Sequence, residues 1–184
     1  VRIFGIDPGS LRTGYGCVES DGRHHRLVVC GSIPAPAHAP LPDRLQAIHL
    51  GLRTLITQCR PDCVAIEDVF HARNVRSALL LGHARGVALL AASESGVPVM
   101  TYTPAEIKHA VVGYGRAEKR QVQGMVRLLL GLNAPPSPYD VADALAVAIC
   151  HLHTRVPAGA RPGAPAAAVG PRSWRQYRPP QGKL

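Results

Sequence analysis

Three strand-like runs, at residues 2–6, 14–19 and 26–33, open the chain with little more than the turns Pro8-Gly9 and Asp21-Gly22 between them. Strands joined so tightly form an antiparallel meander. The pattern then changes. Residues 42–59 place Leu45, Ile48, Leu52, Leu55, Ile56 and Cys59 at helical spacing, and Pro61 stops that helix. A short apolar run at 63–67 predicts a fourth strand, and residues 74–95 a long helix closed by Gly96-Val97-Pro98. A fifth strand follows at 99–102. Thr103-Pro104-Ala105-Glu106 reads as a capping box with proline in the first helical turn, opening a short helix to residue 112. A loop around Gly113-Tyr114-Gly115-Arg116 leads to a helix at 119–130 capped by Gly131, and a Pro-rich link at 133–138 enters a last helix. The order implies an α/β fold: a mixed five-stranded sheet with helices on both faces. In the long helix, Ala78, Gly82 and Gly86 recur every four residues, a spacing that predicts close backbone approach to the sheet or to a second subunit.

Four carboxylates are placed where such a fold brings them together. Asp7 closes the run VRIFGI and enters the Pro8-Gly9 turn, and Glu67 closes the run CVAI in the same way. Asp140 and Asp143, three apart at the start of the last helix, share one face of its first turn. Singly, each has an ordinary role as a turn former, helix cap or strand-end charge. Together they point to a site for hard divalent cations, because packed carboxylates repel one another unless protonated or bridged by metal. Asp7 lies at the carboxyl end of its strand, where α/β sheets bind ligands.

The chain's 184 residues and 46% hydrophobic content suffice for one substantial core. Residues 155–184 lie outside it: they carry six Lys or Arg, no acid and much Pro, Gly and Ala, and are expected to be a disordered basic tail. Trp174 and Tyr177 within that tail suit nucleic-acid contact as well as a solvated role. The net charge of +9 grows in effect if metal neutralises the four acids, and such a surface favours a polyanion. The five cysteines form no C-x-x-C pair and read as reduced core residues. No uninterrupted run of 18 apolar residues and no basic leader occurs, so a cytoplasmic protein without membrane contact is expected.

The segments FGIDPGSLRTGYG (4–16), AIEDVF (65–70), ALLLGHARGVALLAA (78–92), VVGYGRAEKRQVQ (111–123) and DVADALAVAICH (140–151) resemble, in order and spacing, the RuvC family of Holliday junction resolvases. The resemblance covers residues 1–154 and implies a ribonuclease-H-like nuclease domain acting as a homodimer. Its implied activity is metal-dependent cutting of two opposed strands of a four-way DNA junction, leaving 5'-phosphate and 3'-hydroxyl ends in recombination and repair. Asp7, Glu67, Asp140 and Asp143 would be the catalytic metal ligands, holding two Mg2+ or Mn2+ ions about 4 Å apart that activate water and stabilise the leaving oxygen. Lys108 and Lys119 match basic positions of the family and would neutralise charge at the scissile phosphate. Phe70 resembles an aromatic that stacks on an unpaired junction base, with Arg73 and Arg76 beside it and Arg116 and Arg120 as further phosphate contacts. A branch-migration complex of RuvA and RuvB type is the implied partner.

Three rivals share parts of this pattern. A ribonuclease-H-like enzyme acting on RNA lacks the Glu67-to-Phe70 and Gly-Tyr-Gly-Arg-Ala-Glu-Lys segments, and a sugar-kinase or actin-like fold needs a second glycine-rich turn and a second lobe. A junction-binding protein without catalysis would not need all four carboxylates. Asp68, beside Glu67, is expected on the opposite strand face and is not counted as a ligand.

Overall fold

The computed structural model describes residues 1–68 and 74–154. Strands Arg2–Asp7 (β1), Arg12–Ser20 (β2) and His25–Pro34 (β3) form the antiparallel meander expected of their short turns. Helix Leu41–Cys59 (α1) leads to strand Cys63–Glu67 (β4), and helix Val75–Glu94 (α2) to strand Val99–Tyr102 (β5). Helices Pro104–Val112 (α3), Lys119–Leu129 (α4) and Tyr139–Thr154 (α5) complete the described chain. The sheet order among the described residues is β3-β2-β1-β4-β5, with β4 parallel to both β1 and β5. The α1 and α2 crossovers permit those parallel pairings, as a tight turn could not.

Two hydrophobic cores follow from side-chain alternation along β1 and β4. Phe4, Ile6, Val64 and Ile66 point to α1 and α2, where Ile48, Leu52, Ile56, Ala84 and Ala88 close over them. Ile3, Cys63 and Ala65 point the other way, under Ile107, Val122, Val126 and the apolar length of α5. Strands covered on both faces need near-continuous apolar sequence, which VRIFGI and CVAI supply. Thr103 and Glu106 make the expected capping box of α3, and Asn74 caps α2 by accepting from the Ser77 N–H at 2.9 Å.

Helix α5 is buried along nearly its whole length, from Val141 to His151, with Asp143 as the partly exposed break. It reaches the sheet through glycine. A Cβ at Gly5 would fall 2.1 Å from the Ala144 carbonyl oxygen, and one at Gly14 would fall 2.0 Å from that of Asp140. Backbone therefore rests on backbone, and the first turn of α5 is brought beside the carboxyl end of β1.

The Ala78, Gly82 and Gly86 stripe behaves otherwise than close approach to the sheet required. All three are exposed, and Gly82 and Gly86 have nothing within 4 Å of where a Cβ would stand. Helix α2 packs through Ala84, Ala88, Ala91 and Ala92 instead. Small and apolar residues surround this helix, so its sequence marks no preferred face. Val75, Leu79 and Leu90 on its outer side are 77%, 59% and 53% exposed. Among the described residues α2 is also the one helix long and apolar enough to cross a membrane. Its alanine face lies against the sheet and α1, and its Arg85 pairs with Asp68 at 3.1 Å.

Gly5→Ala should destabilise the protein by about 3 kcal/mol, the upper part of the range for overpacking, because a helix carbonyl rather than a flexible side chain must yield. Urea unfolding followed by circular dichroism measures this; an unchanged midpoint would contradict the backbone seat.

Candidate active site

Asp7 and Glu67 end two neighbouring parallel strands whose register pairs Ile6 with Ile66. The two carboxyls consequently stand side by side at one edge of the sheet, where they share a hydrogen bond. The loop that follows Asp7 is held from two directions. Buried Arg44 of α1 donates to the Ser10 carbonyl, and the Thr13 hydroxyl donates to the Gly9 carbonyl at 3.4 Å. Asp143 enters from the first turn of α5, its side chain 17% exposed, and accepts a hydrogen bond from Lys119 Nζ at 2.7 Å. Lys119 is the first residue of α4, whose start is fixed where the Gln121 side chain accepts from the Glu118 N–H at 2.8 Å. Asp7, Glu67, Asp143, Lys108 and Lys119 line one cleft of about 370 Å³.

This cleft strains its own charges. Burial, then the charges of Glu67 and Asp143, push the Asp7 carboxyl well above the usual aspartate range. Burial also raises Glu67, opposed by the hydrogen bond from Asp7 and the charges of Lys119 and Lys108. Side by side in this setting, Asp7 and Glu67 favour holding one proton between them over carrying two adjacent negative charges. Burial works against the Lys119 ammonium, but its hydrogen bond to Asp143 and the surrounding carboxylates outweigh that and raise its pKa.

Three of the four expected carboxylates thus converge, together with both expected lysines. Asp140 does not line the cleft: its carboxylate lies 4.0 Å from Arg12 Nε and is 38% exposed. Arg12 was not singled out in the sequence, where a strand-start arginine has no mark of its own. Asp68, expected on the opposite strand face, instead lines the same cleft as Glu67, because β4 has ended by that residue, and it pairs with Arg85 at 3.1 Å. Arg76, Arg116 and Arg120 are exposed, the latter two at either side of Lys119 in sequence. Phe70 and Arg73 lie outside the described residues, as does the 155–184 segment.

Among the described residues no three His, Cys, Asp or Glu side chains are already gathered into a coordination shell, and Lys119 occupies the Asp143 oxygen. The donor set still fits a hard divalent cation. It consists of carboxylate oxygens brought from two strand ends and one helix into a single cleft, the hard donor type such cations take.

A family model described as crossover junction endodeoxyribonuclease RuvC matches residues 3–151. A protein of that name from Chloroflexus aggregans is 52% identical over 154 residues, covering 84% of this chain and 94% of its own. Another of that name, from Koribacter versatilis, is 55% identical over 155 residues, covering 84% and 93%. Among solved structures, T. thermophilus RuvC in complex with Holliday junction substrate superposes with a TM-score of 0.76 at 35% identity, covering 83% of this chain and 94% of that one.

The raised Asp7 links metal-free stability to pH. A carboxyl whose folded pKa exceeds its unfolded value favours folding most below the unfolded value, and that advantage is lost as pH rises toward the folded one. Asp7→Asn should therefore stabilise the metal-free protein relative to wild type at neutral pH, with the difference vanishing below about pH 4. Thermal melts in EDTA across pH 3.5–8 test this; equal melting points at neutral pH would refute the charge conflict.

Proposed function

The chain belongs to the RuvC family of crossover junction endodeoxyribonucleases, and from that premise we propose that it resolves four-way DNA junctions. The incisions would be paired and divalent-metal-dependent, would cut two opposed strands to leave 5'-phosphate and 3'-hydroxyl ends, and would serve recombination and repair. The observation that carries this reading is the convergence of Asp7, Glu67 and Asp143 with Lys108 and Lys119 at one sheet edge.

Asp7, Glu67 and Asp143 are the residues that would hold Mg2+ or Mn2+, two per site, with Asp140 joining them once its carboxylate turns from Arg12 into the cleft. Bound there, the cations would supply Lewis-acid polarisation of the phosphate and a water of lowered pKa. The chain's own groups have separate tasks. The proton that Asp7 and Glu67 hold between them must leave before both can serve as ligands. Lys119, paired with Asp143 at 2.7 Å, and Lys108 across the cleft bring positive charge to where negative charge grows on the phosphate. Arg116 and Arg120 extend that charge along the surface as phosphate contacts, and Arg76 does so at the start of α2. Phe70 would stack on an unpaired base, a contact worth about 1–3 kcal/mol, with Arg73 beside it.

Two opposed incisions call for two active sites, hence a homodimer. Its support is the uncovered side of α2, where Val75, Leu79 and Leu90 stand beside Gly82 and Gly86, residues without side chains to hold a second copy away. A loader of RuvA and RuvB type and a cytoplasmic location accompany the family assignment. The 155–184 segment, with its six basic residues, would tether DNA.

A labelled four-way junction, a linear duplex and an RNA/DNA hybrid, each with Mg2+, Mn2+ or EDTA, distinguish the readings. Symmetric metal-dependent nicks are expected in the junction alone. Cutting of the hybrid would point to a ribonuclease, and tight junction binding without cutting to a binding protein. Asp7→Asn should lose at least ~10³-fold in cleavage rate while retaining junction affinity, and Lys119→Ala about 10²-fold.

A further inference from the structure

A second cluster of ligating side chains lies at the other end of α5 from the carboxylates. His25 begins β3 and His153 is in the last turn of α5, 128 residues later, yet their Nε2 atoms face each other at 3.1 Å. The ring centroids are 5.2 Å apart and the planes tilted by 40°. Each ring is anchored from behind. His153 Nδ1 lies 2.9 Å from the Ala110 carbonyl oxygen, which can only accept, so Nδ1 carries the proton and the neutral ring's Nε2 lone pair points at His25. His25 Nδ1 lies 3.0 Å from Ser20 Oγ, a hydroxyl that already accepts from the Gly22 N–H at 3.1 Å and has a second lone pair for an imidazole N–H.

We propose that His25 and His153 form a two-histidine site for a borderline divalent transition metal such as Zn2+, Ni2+ or Cu2+, separate from the carboxylate cleft. Two nitrogens bound at about 2.0–2.1 Å lie roughly 2.9 Å apart for a right-angled bite and roughly 3.3 Å apart for a tetrahedral one. The observed separation falls between the two. In the metal-free form one N–H spans the gap. On metal binding His25 changes tautomer by exchange with water: its Nε2 proton leaves to solvent, Nδ1 takes one up and donates it to the Ser20 hydroxyl, which turns its own hydrogen away, so both Nε2 lone pairs face the metal with no net proton released. The Ala110 carbonyl and the Ser20 hydroxyl supply the outer hydrogen bonds that fix ligating imidazoles in orientation. Exposed His153 leaves the remaining coordination positions to water, and it borders a shallow cavity with Glu106 and His109. Imidazole strongly favours borderline metals over Mg2+, whereas oxygen ligands accept Mg2+ readily, so Mg2+ in excess occupies the carboxylates and leaves the histidines free. Ten residues of helix, about 15 Å, separate His153 from Asp143, so the two sites fill independently. A metal here would clasp β3 to α5 and, through His153, to α3.

The full chain titrated with Zn2+ by calorimetry, in excess Mg2+ to engage the carboxylates, tests the assignment. One saturable Zn2+ per chain is expected, weakened at least roughly tenfold in His25→Gln and in His153→Gln, together with a Zn2+-dependent rise in melting temperature that both variants lose. The electron paramagnetic resonance spectrum of bound Cu2+ should show two imidazole nitrogens in wild type and one in either variant. Junction cutting in Mg2+ should be unchanged in His25→Gln. Should His153→Gln fail to fold for want of its bond to Ala110, His25→Gln, at a strand start, decides alone. No saturable Zn2+, or the same Zn2+ affinity in wild type and His25→Gln, would overturn the site and leave a plain N–H···N hydrogen bond.

Discussion

The contact between α5 and the glycines of β1 and β2 carries more of this protein's organisation than any single side chain does. Side chains of ordinary size would hold a helix off a sheet by their own length, but Gly5 and Gly14 let helix carbonyls come into the space where a Cβ would stand. Two results follow. The helix loses its free faces and is buried on nearly all sides, so its sequence must be apolar throughout, as ALAVAIC is. Its first turn also drops low enough beside the strand ends for Asp143 to meet Asp7 and Glu67 in one cleft. The fold of the family, ribonuclease-H-like, is in this sense a device for bringing one helical carboxylate down to two strand-end carboxylates.

What is assembled in the cleft is unfavourable for the protein alone. Three acids crowd a partly buried space, and two lysines only partly offset them. Groups arranged for stability would not be placed so, since burial disfavours each charge and like charges compound it. The Lys119 bond to Asp143 and the proton shared by Asp7 and Glu67 are what the chain uses to settle the conflict in the absence of other charge.

Much of this was legible in the sequence where one local rule dominated. The strand and helix limits followed from apolar runs meeting Pro, Gly and capping residues, and the Thr103 box and the Asp7 and Glu67 strand ends are such cases. The stripe at Ala78, Gly82 and Gly86 was legible as a pattern but not as a direction. The buried alanines at 84, 88 and 92 keep the same spacing, offset by two residues and hence on nearly the opposite side of the helix. Pairings across long sequence separations left no local mark. Lys119 with Asp143, Arg12 with Asp140 and His25 with His153 join residues from different elements, and only the packed fold shows that they meet. Asp140 is instructive, because a spacing of three put it on the same helical face as Asp143, yet the neighbouring strand placed an arginine against it.

The proton between Asp7 and Glu67 has a bearing on how the protein meets its surroundings. A cation cannot take up these oxygens without displacing it, so filling the cleft is an exchange of one positive species for another rather than a simple capture. Cation supply and acidity then act as opposing reagents in a single equilibrium. At one fixed magnesium concentration the same chain would load less as its medium is acidified and more as it is made alkaline.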